Sequence, residues 1–218
     1  TFLDGADFGR SVSVDDSGPD DATGLGRAAK EALRTGRSRT VRLSVGGTET
    51  GIFLEVFPRP PKLVIFGGVH VAAALVTLAH ALDYRTVVAD GRASFLTRER
   101  FPDADQLILG WPDAAFAKAG IDSATAVVVL THDPKFDDPA LMIALRSPAM
   151  YVGAIGSKKT QAARRERLRA AGLTDDQVGR LFGPIGLDLG GRTPAETALA
   201  IMAEIVAVRH SAAVARTP

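Results

Sequence analysis

A chain of 218 residues with 26 Lys and Arg against 25 Asp and Glu carries a net charge of +1, with 46% hydrophobic and 23% charged residues. This composition suits one globular α/β domain with an appendage and gives no bulk electrostatic reason to expect a nucleic-acid partner. The absence of cysteine excludes disulfides, thiolate metal sites and a cysteine nucleophile, and suits a cytoplasmic protein. No apolar run reaches the roughly 18 residues of a membrane span, since the longest, Val71 to Leu82, is interrupted by Thr77 and His80. No signal peptide is expected at the start, which is Thr1 and not Met.

The first 23 residues hold Asp4, Asp7, Asp15, Asp16, Asp20 and Asp21 against Arg10. They read as poorly ordered or as an edge connection. Leu25 to Leu33 reads as a short amphipathic helix ending near Gly36. Arg39 to Leu43 and Ile52 to Phe57 alternate as a half-exposed hairpin does, with Gly46-Gly47 at its turn. Residues 1–60 are therefore expected to form part of a small α+β domain, closed by a stiff linker from Pro58 to Pro61.

Residues 61–212 are expected to form a Rossmann-like, doubly wound parallel sheet, and 213–218 a tail. Its organising stretch begins with a short β-forming run, Leu63 to Phe66. Gly67 and Gly68 break that run, an Ala- and Leu-rich helix follows, and Thr86 to Ala89 is again strand-like, ending at Asp90. This is the first half of a nucleotide-binding βαβ unit. Its glycines let the main chain approach a phosphate, its helix offers free N–H groups, and its acid stands where a ribose hydroxyl is held. The fingerprint is broken at Val69, where the second glycine would be.

Ala93 to Asp105 reads as a loop with one helical turn, Gln106 to Leu109 as a strand, and Pro112 to Ala119 as a helix closed by Gly120. Ala126 to Leu130 is fully apolar, as a strand covered on both faces would be. Asp138 and Pro139 are expected to start a helix reaching Arg146. A strand follows from Met150 to Ala154, then a basic helix from Gly156-Ser157 to about Ala171. Thr174 to Gln177 has capping-box spacing, and Thr193-Pro194-Ala195-Glu196 opens a helix to about Val208.

Ligands collect at the carboxyl ends of such strands, and the turns there supply the candidates. Gly156, Ser157, Lys158 and Lys159 could hold a phosphate. The alternative is a solvated basic face, since Lys158, Lys159, Arg164, Arg165, Arg167 and Arg169 face only Glu166 in charge. His132 and Asp133, beside Thr131, suggest a binding or structural role at a strand end more than a metal site, because no other histidine has ligand spacing with them. His70 sits in the first helical turn, where the dipole favours a neutral ring. Arg92 meets a phosphate or pairs with Asp90. Asp188 lies in a glycine-rich connection and serves either as a site residue or as a turn former. His80 is expected to be structural.

Five segments together resemble the C-terminal domain of the XdhC/CoxI family, the xanthine dehydrogenase accessory proteins. They are Gly67-Gly-Val-His-Val-Ala72, Leu130-Thr-His-Asp-Pro-Lys-Phe-Asp-Asp-Pro-Ala-Leu141, Tyr151-Val-Gly-Ala-Ile-Gly-Ser-Lys-Lys-Thr160, Gly183-Pro-Ile-Gly-Leu-Asp-Leu-Gly-Gly-Arg-Thr-Pro-Ala-Glu196 and Met202-Ala-Glu-Ile-Val-Ala207. The resemblance implies a maturation factor for a molybdenum hydroxylase. Such a factor binds the molybdenum cofactor (a pterin with a phosphate tail), aids its sulfuration with a cysteine desulfurase as partner, and delivers it to the apo-enzyme without turnover of its own. A homodimer is compatible with this. The family turn commonly reads Gly-Ala-Gly-His-Val-Ala, so Val69 is a departure. The Gly-Gly-Cys-Val-Glu motif usual in the family's N-terminal domain has no counterpart here. The alternative readings are an NAD(P)-dependent oxidoreductase and a nucleotide-sensing module. Against the first stand Val69 and the lack of a lysine four residues after Tyr84 or Tyr151.

Overall fold

The computed structural model describes residues 1–14, 24–57 and 60–210, without the side chains of residues 34 and 35. The expectations for residues 15–23, for Pro58 and for the tail at 213–218 fall outside them. The chain forms two compact units, Thr1–Arg59 and Pro60–Pro218.

The first unit pairs helix α1 (Leu25–Thr35) with a two-stranded antiparallel hairpin, β1 (Arg39–Val45) and β2 (Thr48–Leu54). The two-residue turn is Gly46-Gly47, both with positive φ (59° and 84°), as a primed hairpin turn requires. Residues 1–3 extend this sheet: Phe53 N–H donates to the Thr1 carbonyl at 2.8 Å, and Phe2 bridges Ile52. The small core is Phe2, Ala32, Ile52 and Leu54. The opening segment is thus an edge connection over residues 1–14. The second strand starts and ends earlier than its hydrophobic alternation suggests, because the glycine turn sets the register.

The second unit is a six-stranded sheet, every neighbouring pair parallel. Its strands are β3 (Lys62–Phe66), β4 (Arg85–Asp90), β5 (Gln106–Leu109), β6 (Thr125–Val129), β7 (Tyr151–Ala154) and β8 (Leu181–Phe182), in the order β5-β4-β3-β6-β7-β8. That is the doubly wound order with its reversal between β3 and β6, where ligands lodge in such folds. The connecting helices are α2 (His70–His80), α3 (Pro112–Ala119), α4 (Pro134–Arg146), α5 (Lys158–Ala170), α6 (Asp175–Gly179) and α7 (Pro194–Arg209). Central strands are apolar on both faces because helices cover both. One cluster packs Val64, Phe66, Val127 and Val129 against Phe116, Leu141 and Leu145. The other packs Leu63, Ile65, Val88 and Val128 against Leu75, Val76, Ile201 and Met202.

Two sequence readings are corrected. Helix α4 starts at Pro134 and not at Asp138-Pro139. Asp133 is its N-cap, accepting from the Lys135 N–H at 3.1 Å, and Pro139 lies inside the helix. A proline there forfeits one backbone hydrogen bond, but the earlier start buries Phe136 and Asp137. Strand β8 has no counterpart among the sequence expectations. Its two residues pair with Val152 and Gly153 and give the sheet its sixth strand.

Candidate functional site

Because every strand is parallel, the turns after β3, β4, β6, β7 and β8 all emerge at one rim. The two glycine turns, after β3 and β7, are separated there only by β6, so by two strand spacings of about 4.8 Å each. They meet different neighbours.

At the first turn the glycines admit protein. A Cβ on Gly67, whose φ is +119°, would lie 3.0 Å from Thr131 Cγ2 and 3.1 Å from the Leu130 carbonyl carbon. A Cβ on Gly68 would lie 2.2 Å from the Phe95 carbonyl oxygen. Main chain from the Ala93–Phe95 3₁₀ turn therefore crosses where a pyrophosphate is expected in a dinucleotide-binding domain. His70 is exposed at the first position of α2, which has no side-chain cap and no acid in its first turn.

Asp90 is fully buried, and its oxygens are occupied within the chain. Oδ2 accepts from Gly68 N–H (2.8 Å) and Arg92 Nη2 (2.9 Å). Oδ1 accepts from Arg92 N–H and Nε, both at 2.9 Å. Four donors fill the roughly four lone-pair sites of a carboxylate, so none is left for a ribose hydroxyl. Burial pushes the Asp90 pKa up, but the Arg92 side chain and the Gly68 and Arg92 N–H groups outweigh it and hold the carboxyl below its ordinary range. Arg92 is correspondingly committed. Its guanidinium lies 3.8 Å over the Phe95 ring, and its pairing with Asp90 raises its own pKa. Acid and cation form a brace between the first turn and the 3₁₀ turn.

At the β6 end, Thr131 is buried and His132 is exposed with φ +61°. A left-handed histidine is uncommon, and such residues persist where surrounding structure fixes them. The fixing comes from a buried network that sequence reading missed. Thr131 Oγ1 donates to Asp137 Oδ1, and Arg164 Nη2 donates to Asp137 Oδ2 at 2.6 Å. Arg164 Nη1 donates to Gln161 Oε1 (2.7 Å) and to the Ile155 carbonyl (3.0 Å), while Gln161 Nε2 donates to the Ala154 carbonyl (2.8 Å). Arg164 and Asp137 are each 1% exposed. Arg164 therefore belongs neither to a solvated face nor to an anion site. The available signal was spacing: Gln161, Arg164 and Leu168 share one face of a helix that is otherwise basic.

At the β7 end, Gly156 takes φ +140° and Ser157 caps α5, accepting from Thr160 N–H at 3.2 Å. Lys158 and Lys159 are exposed in the first turn, which holds no acid. Cations there oppose the helix dipole, at a cost of about 0.3–1 kcal/mol each. This chemistry fits a bound anion. Asp188 is exposed on the connection after β8, which is anchored to α7 through Gly186 N–H to Glu204 Oε2 (3.0 Å) and Leu187 N–H to the Ala200 carbonyl (3.1 Å). It stands apart from the other turns. His80 is bonded at the opposite rim, with Nε2 at 3.0 Å from both Thr86 Oγ1 and Asp105 Oδ2. Among the described residues, no three His, Asp or Glu side chains converge as metal ligands, and no helix is long and apolar enough to cross a membrane.

Strand order and rim together define a doubly wound, Rossmann-type domain whose first phosphate turn has been closed by its own chain. Residues 63–205 match the family model described as the XdhC Rossmann domain, and the chain belongs to that family. It is 29% identical over 165 residues to a protein of Bacillus subtilis (strain 168) named as a probable subunit of xanthine dehydrogenase, covering 76% of this chain and 48% of that one. It is 31% identical over 166 residues to the Escherichia coli (strain K12) molybdenum cofactor insertion chaperone PaoD, covering 74% and 46%. The chain thus spans about half the length of these curated relatives. A crystal structure described as a xanthine dehydrogenase from Bacillus halodurans superposes with a TM-score of 0.61 at 24% identity, over 92% of this chain and 68% of that one, which speaks for the fold.

Proposed function

We propose that this chain is the cofactor-handling part of an accessory protein that matures a molybdenum hydroxylase. The observation that carries the reading is the asymmetry of the rim. The β3–β4 side is closed by Phe95 and by the Asp90–Arg92 brace, whereas the β6–β7 side presents His132, Ser157, Lys158 and Lys159 to solvent. The ligand is the molybdenum cofactor, its phosphate meeting the α5 N-terminus and the two lysines, with His132 and Thr131 bordering it. The similarity to a relative named as a cofactor insertion chaperone supports this choice. The partner is the apo-hydroxylase. A cysteine desulfurase and a second copy of the chain are further proposed partners, and no turnover by the chain itself is invoked.

An NAD(P)-dependent oxidoreductase is the weaker reading. Val69 crowds the first turn, and Asp90 has no acceptor to spare for a ribose.

The test is transfer. The purified chain is loaded with molybdenum cofactor, freed of excess, and mixed with an apo-hydroxylase. The reading expects hydroxylase activity to appear in proportion to loaded protein, and no melting shift with NADPH. Stabilisation by NADPH with hydride transfer, and no cofactor retained, would sink it. A ligand at 100 times its Kd adds about 2.7 kcal/mol of stability, enough to read as a melting shift.

A further inference from the structure

Beside the Asp90–Arg92 brace, at the carboxyl end of β5, the surface dips into a shallow depression of about 700 Å³ lined by Gly110, Trp111, Pro112, Asp113, Ala114 and Pro139. Trp111 is the only tryptophan in the chain. It is the N-cap of α3, and its carbonyl accepts from the Ala115 N–H at 2.9 Å. Its ring lies 4.8 Å from Phe136, tilted by 42°, and Phe136 in turn lies 6.2 Å from Phe66 in the core. The indole is thus supported from one side by an aromatic stack rooted in the sheet. Yet 54% of the residue is exposed. A large aromatic held rigid and half bare at a ligand-bearing rim is a stacking platform.

The surroundings suit a flat guest. Gly110 has no packing need to be glycine, since a Cβ there would meet only Ala114 Cβ at 3.8 Å and Ala115 N at 3.9 Å, ordinary contacts. The floor is bare of side chain all the same. Pro112, Ala114 and Pro139 supply low apolar walls, and Asp113 is the one charged group in the lining. A carboxylate accepts two parallel hydrogen bonds from neighbouring N–H donors. A heterocycle with a ring N–H next to an exocyclic amino group offers that pair, and adenine, whose ring nitrogen beside the amino group is an acceptor, does not.

We propose that this depression binds the 2-amino-4-oxopyrimidine edge of a planar bicyclic heterocycle, the edge shared by guanine and pterin, stacked on Trp111 and bonded to Asp113. The proposal deepens the cofactor reading above, on which it rests, by placing a ring site that no sequence motif indicates.

The single tryptophan reports on its own site. Emission excited at 295 nm is followed while the protein is titrated with GMP and with AMP, and pterin binding is read by calorimetry. The expected result is saturable quenching by GMP at least tenfold tighter than by AMP, heat of binding from pterin, and collapse of the GMP-to-AMP ratio below threefold in Asp113→Asn at unchanged melting temperature. The stronger of GMP and pterin names the source of the ring. Equal response to GMP and AMP, or no saturable quenching with no pterin heat, would overturn the proposal. Cofactor retention measured separately divides the two claims. Retention with Trp111 emission unchanged overturns the ring site and leaves the cofactor reading. Base-selective, Asp113-dependent quenching without retention supports the ring site and sinks the cofactor reading.

Discussion

The two glycine turns at the rim look alike as sequence: each follows a buried strand and feeds a helix. In the folded chain they are opposites. The turn after β3 is crowded by Thr131 and the Phe95 carbonyl, and Gly68 N–H is taken by Asp90. The turn after β7 ends in a serine cap and two exposed lysines with no acid in the first helical turn. A glycine before a helix says that something comes close. Whether that is ligand or the protein's own main chain depends on what the rest of the sequence brings there, and here the Ala93–Phe95 turn decides it at the first site.

Substitutions on the two sides should behave differently, and the largest effect is expected where the sides are tied together. Arg164→Met leaves the buried Asp137 without its cation, and breaking a buried pair from one side costs about 3–5 kcal/mol. A marked drop in the urea midpoint is expected, and a change within error would mean the network does not hold the rim. Next is Gly68→Ala. Its Cβ must displace a backbone carbonyl from 2.2 Å, and overpacking of this kind costs about 1–3 kcal/mol. Full stability in that variant would reopen the first turn as a phosphate site.

On the open side the prediction is a loss of binding without a loss of stability. Lys158→Ala with Lys159→Ala should leave the melting temperature unchanged or slightly higher, because two charges opposing the α5 dipole are gone. Affinity for a phosphate-bearing ligand should fall tenfold or more, as charge-assisted hydrogen bonds are lost. The smallest change is expected for His132→Gly. Relief of left-handed strain, about 1–2 kcal/mol, is largely offset by the greater freedom of an unfolded glycine, about 0.4–1 kcal/mol. Stability should rise slightly or stay level while ligand affinity falls. A clear destabilisation would show that the imidazole serves packing.

The closed side also has a pH signature. The Asp90 pKa is lowered on folding from its ordinary 3.8. Its contribution is therefore complete above that value and is lost as pH falls through the lower folded pKa. Asp105, held down first by the Thr86 N–H and also by His80, adds to the same acid limb. Asp90→Asn should flatten the fall in stability below pH 4. An unchanged acid limb would count against the brace.

Sheet class and most elements are legible in the sequence because period and punctuation agree. Gln106–Leu109 and Pro112–Ala119 emerge with the bounds their sequence suggests, and Thr174 and Thr193 both form capping boxes. The start of α4 is ambiguous because two aspartate–proline pairs compete within six residues, and only tertiary burial of Phe136 and Asp137 decides between them. The site is half legible. Residue types at strand ends point to the rim, but sequence does not say that Asp90 and Arg92 saturate each other. Nor does it say that Arg164, one cation among many, turns inward to Asp137. Those facts arise from convergence of α4, α5 and two strand ends, which no local spacing encodes.

The account stands or falls on whether the lysine-bearing turn holds the guest. Calorimetric titration of molybdenum cofactor into the native chain and into the Lys158→Ala, Lys159→Ala double variant puts that to the question directly. One saturable site in the native chain, weakened at least tenfold in a variant that melts at the same temperature, is the predicted result. Equal affinity in both proteins would contradict it.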